Sequence, residues 1–171
     1  MVNSNTVTLD KVMSYNPCED FPESRIADIF EGRDTGTLAD IFAEPMRQDE
    51  QLWVALREAF FSQHDLETLA AHFCLHVGML ANHEDSTVTN AVLNAILACS
   101  GSFDMLPEDK RHDRWASGAT DVEKCVALSA LWAATARANT EDDKEKRLEQ
   151  WNLERDFQVA HVKKKAGIDA N

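Results

Sequence analysis

Glu50-Gln51-Leu52-Trp53-Val54-Ala55-Leu56-Arg57-Glu58-Ala59-Phe60-Phe61, then Ser62-Gln63-His64-Asp65, then Leu66 through Ala81, is the stretch on which the fold turns. In its first part Leu52, Trp53, Leu56 and Phe60 recur at helical spacing. In its second, Leu66, Leu69, Phe73, Val77 and Leu80 form one face, while Leu75 and Met79 fall on another. The spacing predicts two apolar helices, through Phe61 and through Ala81, with Ser62 or Asp65 starting the second. A helix apolar on two sides belongs in the middle of a bundle. Gly78 inside it, at about 1 kcal/mol less helix propensity than Ala, predicts a close crossing by a neighbouring helix.

Outward from this pair, helical punctuation continues. Pro17, Pro22, Pro45 and Pro107 each precede a helical pattern, where a missing N–H costs nothing. Gly32, Gly101, Gly118 and Gly167 each follow one, as helix-closing residues do. Thr8 is placed to cap a short helix through Met13. A second helix is expected from about Pro22 to Glu31, with Ile26, Ile29 and Phe30 as its stripe. Thr37 caps a third, with Asp40 at the box position, and carries Leu38, Ile41 and Phe42. After Ala81, Ser86 begins a helix bearing Val88, Val92, Ala95, Ile96 and Cys99. Thr120-Asp121-Val122-Glu123 is a capping box for a helix through Ala138 that is apolar nearly all round. Thr140 is placed to cap the last helix, with Leu148, Trp151, Val159 and Val162 towards the core. Leu153 and Phe157 fall elsewhere on it and raise a homodimer. No stretch alternates with period two between hairpin turns. The expectation is an all-α, compact single-domain helical bundle over 1–171, with short acidic helices in 8–45 and the main bundle in 46–166.

The chain has 171 residues, 44% apolar and 27% charged, which suits one globular core. No apolar run reaches the length of a membrane span, and the first residues lack a signal-peptide pattern. Cys18, Cys74, Cys99 and Cys125 are far apart with no Cys-x-x-Cys, so reduced thiols in a cytoplasmic protein are expected.

The net charge of −13 is unevenly placed. Residues 19–50 hold ten acids against Arg25, Arg33 and Arg47, a net of −7. Such a field repels nucleic acid and membranes and steers towards basic surfaces. Most charge excess merely keeps a protein soluble. The sharper expectation is a docking face for a basic protein partner built from Glu19, Asp20, Glu23, Asp28, Glu31 and Asp34. A DNA mimic is a special case, with carboxylates standing in for phosphates at about one charge per 1.7 Å; the three arginines interrupt such an array.

Catalytic signals are few. His72 and His76 are one turn apart and could share a metal. However, His72-Phe73-Cys74-Leu75-His76 lacks the glutamate that zinc hydrolases place after the first histidine, and the plainer expectation is two helix-edge histidines bonded to neighbours. Cys18 is ringed by Glu19, Asp20 and Glu23, which disfavour a thiolate. No nucleophile elbow, phosphate loop or dinucleotide fingerprint occurs. No cofactor is expected and no enzyme. Trp53 and Trp132 sit in apolar patterns as core anchors. Trp115, in Lys110-Arg111-His112-Asp113-Arg114-Trp115, is the aromatic expected at an interface.

Three pieces carry a resemblance: Thr8-Leu9-Asp10 followed by Asn16-Pro17-Cys18-Glu19-Asp20; Leu52-Trp53-Val54-Ala55-Leu56-Arg57-Glu58; and Leu131-Trp132-Ala133-Ala134 with Trp151 downstream. The chain resembles a loose group of small helical proteins encoded in phages and other mobile elements, some labelled immunity proteins. The group's Ala-Cys-x-Cys-Ala element is represented here only by Ala71-His72-Phe73-Cys74-Leu75. The resemblance implies a protein that blocks another protein. The expectation is therefore a non-enzymatic inhibitor that covers a basic surface of a host defence or nucleic-acid-processing protein. An immunity protein neutralising a toxin is the alternative, and a metal-dependent enzyme the third.

Overall fold

The N-terminal third is built on two threonines that each end a strand and cap a helix. The computed structural model describes residues 6–17, 19–80, 86–100 and 119–168, apart from the side chains of 98–100. Thr8 Oγ1 accepts from Lys11 N at 3.2 Å and starts α1 (Leu9–Met13). Thr37 Oγ1 accepts from Asp40 N, and Asp40 returns a carboxylate oxygen to Thr37 N at 2.7 Å, opening α3 (Leu38–Ala43). The residues before these caps, Thr6–Thr8 (β1) and Thr35–Thr37 (β2), pair antiparallel with Val7 opposite Gly36. An all-helical expectation has no place for this ladder. Its three-residue strands are shorter than any alternation could reveal. Between them α2 (Glu23–Ile29) follows Pro22, and Phe30 behind it is buried with its ring against Gly36.

The helix expected through Phe61 stops early. α4 spans Gln48–Ala55, and Leu56 leaves helical geometry at φ −80°, ψ 57°. Continuing the helix would require the Glu58 amide to bond within it; instead that N–H donates to the buried carboxylate of Glu123 at 2.6 Å. Arg57 Nε donates to Trp53 O at 2.9 Å, with its guanidinium over the Tyr15 and Trp53 rings. Ser62 then forms a full capping box with Asp65 and begins α5 (Gln63–Gly78).

The long elements that follow are α6 (Ser86–Ser100), α7 (Asp121–Ala138) and α8 (Lys144–Lys165). The centre of the bundle is α7, which packs on α5, α6 and α8. Val122, Cys125, Val126, Leu128, Ala130, Ala133, Ala134 and Ala136 are all buried, so its sides are covered all round. Its small residues admit close neighbours: Ser129 Oγ lies 3.3 Å from Ala70 O on α5 and 3.2 Å from Ala91 O on α6. The α5 helix is not enclosed in this way. Leu66, Leu69, Ala70, Phe73 and Val77 are buried, but Leu75 is 63% and Met79 85% exposed. Nor, among the described residues, does a helix cross at Gly78, where an added Cβ would meet nothing within 4 Å. That glycine ends α5 rather than admitting a neighbour.

On α8, Asp143 rather than Thr140 is the cap, accepting from Glu145 N and Lys146 N. Val159 and Val162 are buried as expected, whereas Leu148 is 62% exposed and Trp151 only half-buried. The core-facing side of α8 is instead largely polar: Glu154, Arg155 and Gln158 are buried. Gln158 Nε2 donates to Ala130 O on α7 at 2.9 Å, and Arg155 Nε is 2.7 Å from Asp49 Oδ1 on α4. One cluster of buried apolar side chains runs from Val7 to Val162. Among the described residues no helix is long and apolar enough to cross a membrane.

Candidate functional site

The N-terminal helices are too short to close against one another, and an apolar pocket of about 270 Å³ lies between α1, α2, α3 and α4. Val12, Phe21, Ile26, Ile29, Ile41 and Trp53 supply much of its wall. Asn16, Arg47, Asp49 and Glu50 are its polar lining. Two turns in the left-handed region bracket α2 (Asn16 at φ 56°, Glu31 at φ 52°) and turn the chain in and out of the pocket wall. The sequence shows these apolar residues as the stripes of separate short helices. That the stripes converge on a hollow rather than on one another is a tertiary fact.

Apart from Glu44, the acidic residues of 19–50 divide into two groups. Asp40, Asp49 and Glu50 are spoken for within the molecule: Asp40 pairs with Arg33 at 2.9 Å, Glu50 with Arg47 at 2.9 Å, and Asp49 with Arg155. The Arg33 guanidinium, helped by the Thr37 cap, holds the Asp40 carboxyl below its ordinary range. By contrast Glu19, Asp20, Glu23, Asp28, Glu31 and Asp34 are all exposed, and among the described residues none takes part in an ion pair. Among the described residues the arginines that interrupt the acidic tract form no close ion pair with these six, although the charge of Glu31 acts on Arg33 and that of Asp20 on Arg47. Arg33 and Arg47 are engaged by other carboxylates, while Arg25 lies over the Phe21 ring and donates to the Asp20 carbonyl. Five of the six acids flank or sit within the segment that contributes Phe21, Ile26, Ile29 and Phe30 to the pocket. Trp115 and Cys18 lie outside the described residues.

His72 and His76 diverge to different partners on α8. Nε2 of His161 is 2.9 Å from Nδ1 of His72, and Nδ1 of His76 is 2.8 Å from Oε2 of Glu154. Phe157 stacks on His76 at 3.6 Å between ring centres, so its side chain is used within the chain. With Lys165 on Asp65 at 2.7 Å, these pairs form an antiparallel seam: 65 with 165, 72 with 161, 76 with 154 and 157. Among the described residues no three His, Cys, Asp or Glu are grouped to hold a metal. Cys74 is partly buried and Cys125 buried; burial raises both thiols, Cys125 to about 12, which leaves both poor nucleophiles.

The seam has a pH dependence of definite sign. Burial, then the His72, Lys164, His76 and Lys165 side chains around it, lower the pKa of His161. A lowered histidine favours folding above its unfolded value of about 6.5, and that contribution is lost as pH falls through the folded value. Glu154, raised by burial against the pull of His76, acts oppositely: its contribution is lost as pH rises through its folded value. The two are separated by substitution. The wild type is expected to lose more thermal stability than His161→Gln between about pH 7.5 and about pH 5.5, a range spanning the histidine titration. Parallel melting curves for the two proteins would rule out this role for His161.

Comparison with protein-family models, curated proteins and solved structures finds no match to this chain.

Proposed function

We propose that this protein is a non-enzymatic binding protein that covers a basic surface of another protein with its N-terminal third. The observation that carries this is the separation of charge. Six exposed carboxylates have no ion pair among the described residues, whereas Asp40, Asp49 and Glu50 are paired. Unpaired carboxylates at one end of a molecule give an attractive field for a basic partner and suppress non-basic ones. The apolar pocket among them favours recognition of side chains over imitation of a uniform phosphate array. Its acidic lining residues Asp49 and Glu50 are held by Arg155 and Arg47, which suits a binding surface better than acid–base chemistry. In the mobile-element setting implied by the resemblance, the fitting partner is a defence or nucleic-acid-processing protein, whose basic channel would be blocked stoichiometrically.

The test uses the tagged full chain against host lysate at low and high salt, beside a variant with Glu19→Gln, Asp20→Asn, Glu23→Gln, Asp28→Asn, Glu31→Gln and Asp34→Asn. All six sites are exposed, so the variant should keep the wild-type circular dichroism. Capture of a basic protein is expected to fall at high salt and to fall with the variant at low salt. An identical set of captured proteins for both chains, at both salts, contradicts the proposal.

A further inference from the structure

The pocket and the acids around it have a joint consequence. We infer that the pocket receives a single aromatic side chain projecting from a basic segment of the partner. This deepens the docking proposal above and rests on it. At about 270 Å³ the hollow falls just below the range, roughly 300–1,000 Å³, usual for small-molecule and cofactor sites. Such sites also hold a few convergent polar groups; here the polar groups are few and most are engaged elsewhere. Arg47 is chelated by Glu50, whose Oε1 takes Nε at 3.1 Å and Nη2 at 2.9 Å, and Asp49 is on Arg155. Apart from Asn16 the rest of the wall is apolar: Val12, Phe21, Ile26, Ile29, Ile41 and Trp53 among others. A pocket of one-residue size with apolar walls is what a protein interface uses to bury an anchor, and such anchors are enriched in Trp and Tyr.

The charge decides what flanks the anchor. Glu19, Asp20, Glu23 and Asp28 lie on the chain segment that holds Phe21, Ile26 and Ile29 in the wall. They are exposed on that same segment, so a basic stretch of chain approaching the pocket enters their negative field. Basic residues there would find unpaired carboxylates; acidic ones would meet repulsion. The ring supplies most of the affinity and the flanking charges the selectivity and approach rate. Arg25 does not compete for these carboxylates, since its guanidinium is over the Phe21 ring and bonded to the Asp20 carbonyl.

Methyl-detected NMR on the full chain tests this with three synthetic pentapeptides: Lys-Lys-Trp-Lys-Lys, Lys-Lys-Ala-Lys-Lys and Gln-Gln-Trp-Gln-Gln. The basic tryptophan peptide is expected to shift the methyl resonances of Ile26, Ile29 and Ile41. It should also bind at least about tenfold more tightly than the alanine peptide, the loss typical when a hot-spot anchor is removed, and more tightly than the glutamine peptide at low salt. Ile29→Trp, which fills the hollow from its own wall, is expected to abolish the preference for tryptophan over alanine while leaving the alanine peptide bound. If the two lysine peptides bind equally, moving amides of 19–34 but no pocket methyl, the anchor pocket is wrong and the acidic docking face stands. If no peptide binds at low salt, both fall. Should Ile29→Trp fail to fold, the wild-type methyl shifts decide alone.

Discussion

Glu123→Ala is expected to destabilise the fold by about 3–5 kcal/mol, the range for removing one partner of a buried ion pair. Glu123 and Arg57 have side chains only 4% and 3% exposed. The carboxylate does three jobs: Oε1 accepts from Glu58 N at 2.6 Å, Oε2 accepts from Thr120 N at 2.8 Å, and Oε2 faces Arg57 Nη1 at 3.5 Å. Loss of the Thr120 box at the start of α7 accounts for about 0.5–2 kcal/mol. The greater part comes from Arg57, which cannot shed its charge at neutral pH and would be left buried with only the Tyr15 and Trp53 rings and one carbonyl. Burial already lowers the Arg57 pKa against the pull of Glu123, and burial together with the Glu123 charge pushes the Tyr15 phenol up to about 12. Glu123→Gln should lose less, because an amide oxygen still accepts one N–H. Replacing both partners together, Arg57→Met with Glu123→Met, should recover part of the loss, since no charge remains buried. Urea denaturation measures all three. A loss below about 1 kcal/mol for Glu123→Ala, the value of an ordinary exposed pair, would mean the ion pair is not what holds the turn after α4 to α7.

This pair also explains which features could be read from the chain and which could not. Thr8, Thr37, Ser62 and Thr120 cap helices as expected, because a cap is a contact over three residues and its chemistry is visible in the sequence. The enclosed α7 was legible from apolar residues on every side. The end of α4 was not, because it depends on a carboxylate more than sixty residues away taking the Glu58 amide. The buried side of α8 was missed for a similar reason. Glu154, Arg155 and Gln158 are polar, and they can be buried only because His76, Asp49 and Ala130 satisfy them. In the candidate site, the exposure of the six carboxylates is what their charge leads one to expect. Which acids form the close pairs does not follow from charge, since Arg33 and Arg47 have several acids near them in the chain and the fold joins them to Asp40 and Glu50. The pocket was invisible because it is space that short helices leave unfilled.

Gly36→Ala should be the second large effect, about 1–3 kcal/mol, from overpacking rather than from backbone conformation. Gly36 does not have a positive φ, so alanine has no backbone objection there. The objection is space: a Cβ at this position would be built into the Phe30 ring, whose residue is 1% exposed and packed in the core. The ring has to move, and the open direction is the pocket it already lines. Two measurements follow. Phe30→Leu makes room for the new methyl, so Gly36→Ala should cost less in that background, with a coupling of about 0.5–3 kcal/mol as expected for residues in contact. Strict additivity would show that the methyl is absorbed elsewhere. If the ring does retreat into the hollow, Gly36→Ala should also narrow the margin between the tryptophan and alanine peptides, although residue 36 does not line the pocket. The glycine of a three-residue strand would then set both the stability of the N-terminal third and the volume of its binding site, because one phenylalanine ring fills the space between them.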